Sequence, residues 1–222
     1  EGVVVSSAME KTAVVAVVTT ADDEQRDQGG EEQREGQRRG LQSQPDGDRR
    51  DKCARDAMTR VACIQMASGP NVRANLFEAE KLIYQASKLG AKLIVLPENF
   101  AIMGLKETDK VGVRERDGSG PIQDFLASHA KRHKVWLVGG TIPLEADDPG
   151  KVRAACLVYN ERGQRVARYD KIHMFDVQVV GSDERYTESE TIEPGGEIKV
   201  VATPFGRLGL AICYDLRFPE LF

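Results

Sequence analysis

The sequence has no Cys-x-x-Cys pair. Its four cysteines, Cys53, Cys63, Cys156 and Cys213, are spread over 222 residues, a spacing that suits neither a zinc ribbon nor a disulfide framework. Reduced thiols in a cytoplasm-like compartment are expected instead. There is no basic excess either: 31 Lys and Arg stand against 35 Asp and Glu, a formal net charge of −4, so nucleic acid is a poor partner. No apolar run approaches the roughly 20 residues that a membrane-spanning helix requires, and residues 13–18 lack the basic flank of a signal peptide. Phosphate-loop and dinucleotide-loop glycine spacings are also missing, which removes nucleotide cofactors from the expectation. His129 and His133 lie four apart, but Ala130 stands where a zinc-binding His-Glu-x-x-His needs glutamate. No metal is expected there, and both histidines are read as solvated.

What is present divides unevenly along the chain. Between residues 21 and 52 the only large apolar side chain is Leu41, the composition of a solvated segment without a core. Residues 1–57 are therefore read as a disordered tail or an extension ahead of Met58, with strand-like valine runs at 3–5 and 14–18. From 58 to 222 the pattern becomes that of an α/β domain. A strand at 60–66 precedes Val72, Leu76, Ala79, Ile83 and Ala86, spaced as one apolar stripe of a helix, with Gly90 to stop it. The run at 93–96 is unbroken and so reads as a strand covered on both faces. A charged loop over 103–116, a helix from Pro121 with Ile122, Phe125, Leu126 and Ala130 on its buried face, and a strand at 135–138 follow. Gly139 and Gly140 then permit close backbone approach. Residues 153–159 and 164–169 read as a hairpin around Asn160-Glu161-Arg162-Gly163. The stretch 176–196 reads as a long loop of the kind that usually carries function, and strands at 198–202 and 208–212 end the pattern.

Three polar residues sit where such strands end. Glu98 follows the second, Lys171 follows the hairpin, and Cys213 follows the last at a turn leading into Pro219-Glu220, a helix-start signal. Two readings of Cys213 stand on this evidence. It is either an exposed nucleophile on a strand-to-helix corner, with backbone N–H groups aimed at what it attacks, or one more buried small hydrophobe. A thiol of ordinary pKa, about 8.5, needs a base or a cation to react at neutral pH. Strand ends of a parallel-type sheet converge on one crevice, which would bring Glu98 and Lys171 to it. Cys63 and Cys156, inside strand patterns, are expected to be inert.

Leu96-Pro97-Glu98-Asn99-Phe100, then Tyr169-Asp170-Lys171-Ile172-His173-Met174-Phe175-Asp176, then Gly209 to Glu220 through Cys213-Tyr214-Asp215-Leu216-Arg217-Phe218, resemble in order and spacing the signatures of the carbon–nitrogen hydrolase (nitrilase) superfamily. Tyr186-Thr187-Glu188-Ser189 and the cysteine corner look most like its Nit branch, the omega-amidases and deaminated glutathione amidases. The resemblance implies a four-layer α-β-β-α sandwich, incomplete at the C-terminus here because family domains continue beyond the position of Phe222. It implies Glu98 as general base, Lys171 as the cation beside the thiol, Cys213 as nucleophile, Glu188 as a second glutamate holding the lysine, and the Tyr214 backbone N–H as an oxyanion donor. His173 is read as structural. The implied reaction splits a small carboxylate-bearing amide into acid and ammonia through an acyl-thioester, with no cofactor, in a homodimer. A nitrilase or N-carbamoyl hydrolase of the same superfamily, and a non-catalytic interaction module on the same fold, remain as alternatives.

Overall fold

The computed structural model describes residues 59–181, 183 and 185–222, together with the backbone of strands β1 (Gly2–Ser6) and β2 (Ala16–Thr19). Apart from these two strands, the expected tail over 1–57 lies outside the described residues. The main sheet is built on β3 (Val61–Gln65), β4 (Leu93–Val95) and β5 (Trp136–Val138), which run parallel in that order, with β1 parallel on the outer side of β3. Beyond β5 the sheet turns antiparallel through β7 (Val152–Tyr159), which pairs with β6 (Ile142–Glu145) and with β8 (Arg165–Asp170). The β7–β8 pair is the expected hairpin.

Side-chain alternation in the buried strands divides the core in two. Ile94 and Leu137 point to one face and pack among Leu82, Ile83, Leu126 and Leu157, under helices α1 (Val72–Lys88) and α3 (Pro121–His133). Leu93, Val95, Trp136 and Val138 point to the other face. There they meet Val201, Leu208, Leu210 and Ile212 from a second sheet, formed by antiparallel β11 (Val200–Thr203) and β12 (Gly206–Leu210), with β2 on the far side of β12. Both faces of β4 are thus dry, which is why its sequence is apolar without alternation. Among the described residues the layers run helix, sheet, sheet.

The caps of α1 follow the sequence: the Asn71 side chain accepts from the Ala74 N–H at 3.0 Å, and Gly90 takes the left-handed conformation after its last turn. At α3 the cap is remote. Buried Glu115 accepts from the Ile122 and Gln123 N–H groups at 2.5 and 3.1 Å, placing a carboxylate on the helix's positive end. Three expectations need correction. The loop over 103–116 contains a short helix, α2 (Asp109–Gly112). The long loop 176–196 contains a hairpin of β9 (Asp176–Gln178) and β10 (Arg185–Thr187). His129 is buried rather than solvated, its ring 4.3 Å from that of Phe125. Cys63 and Cys156, expected to be inert, do lie in strands, Cys63 exposed on β3 and Cys156 buried on β7.

Candidate active site

Glu98 leaves the end of β4 on a tight turn. The Leu96 N–H bonds the Val138 carbonyl at 2.9 Å and the Asn99 N–H bonds Thr141 Oγ1 at 2.7 Å. Gly140 lies so close that a Cβ there would stand 2.0 Å from the Pro97 carbonyl oxygen, the close approach that the Gly139-Gly140 pair signals. Lys171 continues β8, held by its own N–H to the Ala154 carbonyl at 3.0 Å and by the Gly195 N–H to its carbonyl at 2.8 Å. Cys213 opens a 3-10 turn directly after the second sheet, with φ at +50°. A non-glycine residue rarely adopts that conformation, and it turns the thiol out of the sheet. The expected helix after it is replaced by two short 3-10 turns, Cys213–Arg217 and Pro219–Leu221.

The structure brings these residues together. The Lys171 side chain is 1% exposed, and its Nζ lies 2.9 Å from Glu98 Oε1 and 2.8 and 2.9 Å from the two oxygens of Glu188. Three ammonium donors thus face three carboxylate oxygens. Glu188 is fixed in turn by the Phe175 N–H, 2.7 Å from its Oε2. Of the other nearby acids, Glu193 pairs with Arg153 instead, Glu190 is exposed, and Glu184 lies outside the described residues. Glu98, Lys171, Glu188 and Cys213 line one cleft of about 330 Å³ with Asn99, Met103, Lys110, Phe175, Arg185 and Tyr186. Tyr214, the residue expected to offer its N–H to the oxyanion, follows Cys213 in the 3-10 turn, its ring 5.1 Å from that of Phe175. A larger cleft, about 550 Å³, is lined by Arg153, Arg168, Asp170 and Lys199. It holds no nucleophile, and its two arginines are already paired with acids.

Charge in the site is arranged unevenly. Burial alone would lower the Lys171 pKa, but the charges of Glu98 and then Glu188 outweigh it and hold the ammonium well above the usual lysine range. Burial first, and the Glu98 carboxylate second, push the Cys213 thiol up to about 11 against the opposing pull of Lys171. At neutral pH the thiol is therefore protonated, beside a carboxylate positioned to take its proton. Iodoacetamide labelling of Cys213, followed by peptide mass spectrometry, should show a rate that rises with pH toward a midpoint near 11. Glu98→Gln should move that midpoint down, since the negative charge that opposes the thiolate is gone. A wild-type midpoint near the ordinary thiol value would contradict this geometry.

Sequence reasoning did not find Asp215, although it lies inside the quoted motif, nor Lys110 and Arg185 at the cleft. Asp215 had a local signal: a carboxylate at the third position of a turn, three residues after Ile212 at its start, is placed to accept from the N–H of that first residue. The two cations had none, since only tertiary contact brings them to the thiol.

The described residues thus set Cys213, on a strand-end corner, in one cleft with a buried lysine held between two glutamates, on helix, sheet and sheet layers. Residues 60–222 match the carbon-nitrogen hydrolase family, and the chain belongs to it, with the nitrilase-like α/β fold. It is similar to the deaminated glutathione amidase of Yersinia enterocolitica, with 40% identity over 163 residues that cover 73% of this chain and 56% of that protein. It is also similar to omega-amidase NIT2 of Xenopus tropicalis, with 37% identity over 166 residues covering 74% and 58%. Among solved structures, the C. elegans NitFhit protein matches with a TM-score of 0.64 at 32% identity, over 72% of this chain and 39% of that one. The chain spans about half the length of the curated relatives it matches.

Proposed function

We propose that the protein hydrolyses a small linear amide bearing a carboxylate, releasing ammonia through an acyl-thioester on Cys213. The observation that carries this reading is the Glu98–Lys171–Glu188 cluster in one cleft with the thiol. Glu98 takes the thiol proton as Sγ attacks the amide carbonyl, and becoming neutral it loosens its hold on Lys171. One ammonium N–H is then free for the oxyanion, beside the Tyr214 N–H. The C–N bond breaks as Glu98 returns the proton to the leaving nitrogen, so ammonia departs and the thioester remains. Water next attacks the thioester, Glu98 again accepting a proton. The acid leaves as the thiol is restored. Glu188 holds Lys171 throughout. Each step is neutral in protons overall and needs no cofactor.

The carboxylate preference is supported by one cation of the cleft, Arg185. Lys110 is paired with Glu107 at 2.7 Å and Lys171 with two glutamates. Arg185 lines the same cleft and makes no contact-distance ion pair among the described residues, although, after hydrogen bonds from Ser189, its charge helps to lower the pKa of Asp176 on β9. A guanidinium suits a carboxylate bidentately. Arg185→Met is expected to raise KM for carboxylate-bearing amides about 10- to 100-fold while leaving a neutral amide of the same size unaffected. Equal changes for both would remove the assignment. The relatives named deaminated glutathione amidase and omega-amidase fit this class. Ammonia release from a panel of omega-amides, deaminated glutathione, nitriles and N-carbamoyl amino acids tests the function; release from none, by folded protein, would favour the non-catalytic reading. A homodimer and a cytoplasm-like setting belong to the same proposal. Light scattering checks the first. Among the described residues no helix is long and apolar enough to cross a membrane.

A further inference from the structure

Asp215 is fully buried two residues beyond the nucleophile, and four donors converge on it. The Ile212 N–H and the Tyr169 hydroxyl reach Oδ2 at 2.9 and 2.6 Å. The His173 N–H and Nδ1 reach Oδ1 at 2.9 and 2.7 Å. Ile212 is the residue before Cys213, while Tyr169 and His173 stand two positions to either side of Lys171. Capping the 3-10 turn requires only the Ile212 bond. The other three donors all come from the lysine segment, which a cap does not need. The contact is reinforced beside it, where the His173 ring stacks on Phe218 of the corner at 3.6 Å and 7°.

We propose that Asp215 is a positioning residue: its single carboxylate fixes the lysine segment and the nucleophile corner in one register, so that Lys171 and Cys213 meet the same carbonyl group. What is positioned rests on the amide-hydrolase reading; the contact set does not. A carboxylate is needed because both of its oxygens accept. In Asp215→Asn, whichever way the amide turns, its NH2 faces a backbone N–H, that of Ile212 or that of His173. One side of the bridge must then let go. Small misplacements of reacting groups are costly in rate.

The test measures kcat and KM, melting temperature and Cys213 labelling in the full-length protein. Asp215→Asn should lower kcat on the order of 100-fold with KM changed less than about threefold. Leu157→Ala, in the core under the helices, serves as the control for lost stability, and at temperatures below melting it should keep wild-type kcat. Tyr169→Phe, which removes one donor without creating a conflict, should cost about 3- to 10-fold in kcat and carries the test if Asp215→Asn does not fold. If wild-type protein releases ammonia from no substrate, the functional reading fails separately, and labelling decides the inference. In Asp215→Asn the pH midpoint of Cys213 labelling should fall toward that of an ordinary thiol, since the corner no longer holds the thiol beside Glu98; in Leu157→Ala it should stay. A kcat within threefold of wild type in Asp215→Asn, an equal kcat loss in Leu157→Ala, or an unmoved labelling midpoint would overturn the proposal.

Discussion

Lys171→Met should abolish measurable turnover and destabilise the fold together. The ammonium is buried with Glu98 and Glu188 against it, so the substitution leaves two carboxylates facing each other across an apolar side chain. Breaking a buried ion pair by removing one partner costs about 3–5 kcal/mol, and here one cation serves two anions. The rate loss has a separate origin. Without the cation, neither the thiolate nor the developing oxyanion has a positive partner, and loss of such stabilisation costs on the order of 10²- to 10³-fold or more. Chemical denaturation should show the stability difference, and its pH dependence has a definite sign. Because the folded lysine pKa is raised, its contribution is fully present below the unfolded lysine value of about 10.4. It is lost only as pH rises above that toward the folded value. Between pH 6 and 9 the wild-type lysine contribution should therefore be constant, and the gap between wild type and Lys171→Met should stay open or widen as the variant's two facing carboxylates lose their protons. A gap that closes as pH rises from 6 to 9 would show that the lysine does not hold this charge.

Cys213→Ala should remove ammonia release by on the order of 10⁴-fold or more, as expected when a covalent nucleophile is deleted, with little change in melting temperature. The backbone gives this prediction a second half. At φ +50° a side chain costs about 1–2 kcal/mol that glycine does not. Cys213→Gly should thus be inactive and more stable than Cys213→Ala. That order of stability, measured by thermal unfolding, separates a corner strained to present the thiol from a cysteine that merely fills space. The opposite order would mean that the left-handed turn imposes no strain.

How far the site could be read from sequence depended on where each residue's partners lie. Glu98, Lys171 and Cys213 were legible because each ends a strand, and hydrophobic patterning places strand ends well. Glu188 needed the Tyr-Thr-Glu-Ser resemblance, since three other acids lie nearby and only the Phe175 N–H and Lys171 single it out. Asp215 escaped because its importance comes from donors more than 40 positions away. In the fold, β3, β4, β5 and the β7–β8 hairpin followed from apolar runs and a turn. Strand β6 did not, because Pro143 in Ile142–Glu145 argues against a strand; it pairs with the long β7. The β9–β10 hairpin is polar on both strands and gives no alternation to read. For His129 the absent motif says nothing of the helix face: the residue lies three positions from both Leu126 and Arg132, and the ring turns inward against Phe125.

The central claim is that Cys213 carries the acyl group of a cleaved amide. The most direct test is peptide mapping by mass spectrometry of protein acid-quenched during turnover of its best amide substrate. A Cys213 peptide heavier by the substrate less ammonia is expected, with no such adduct in Cys213→Ala. Ammonia release that persists in Cys213→Ala, or an acyl group carried on another residue, would contradict it.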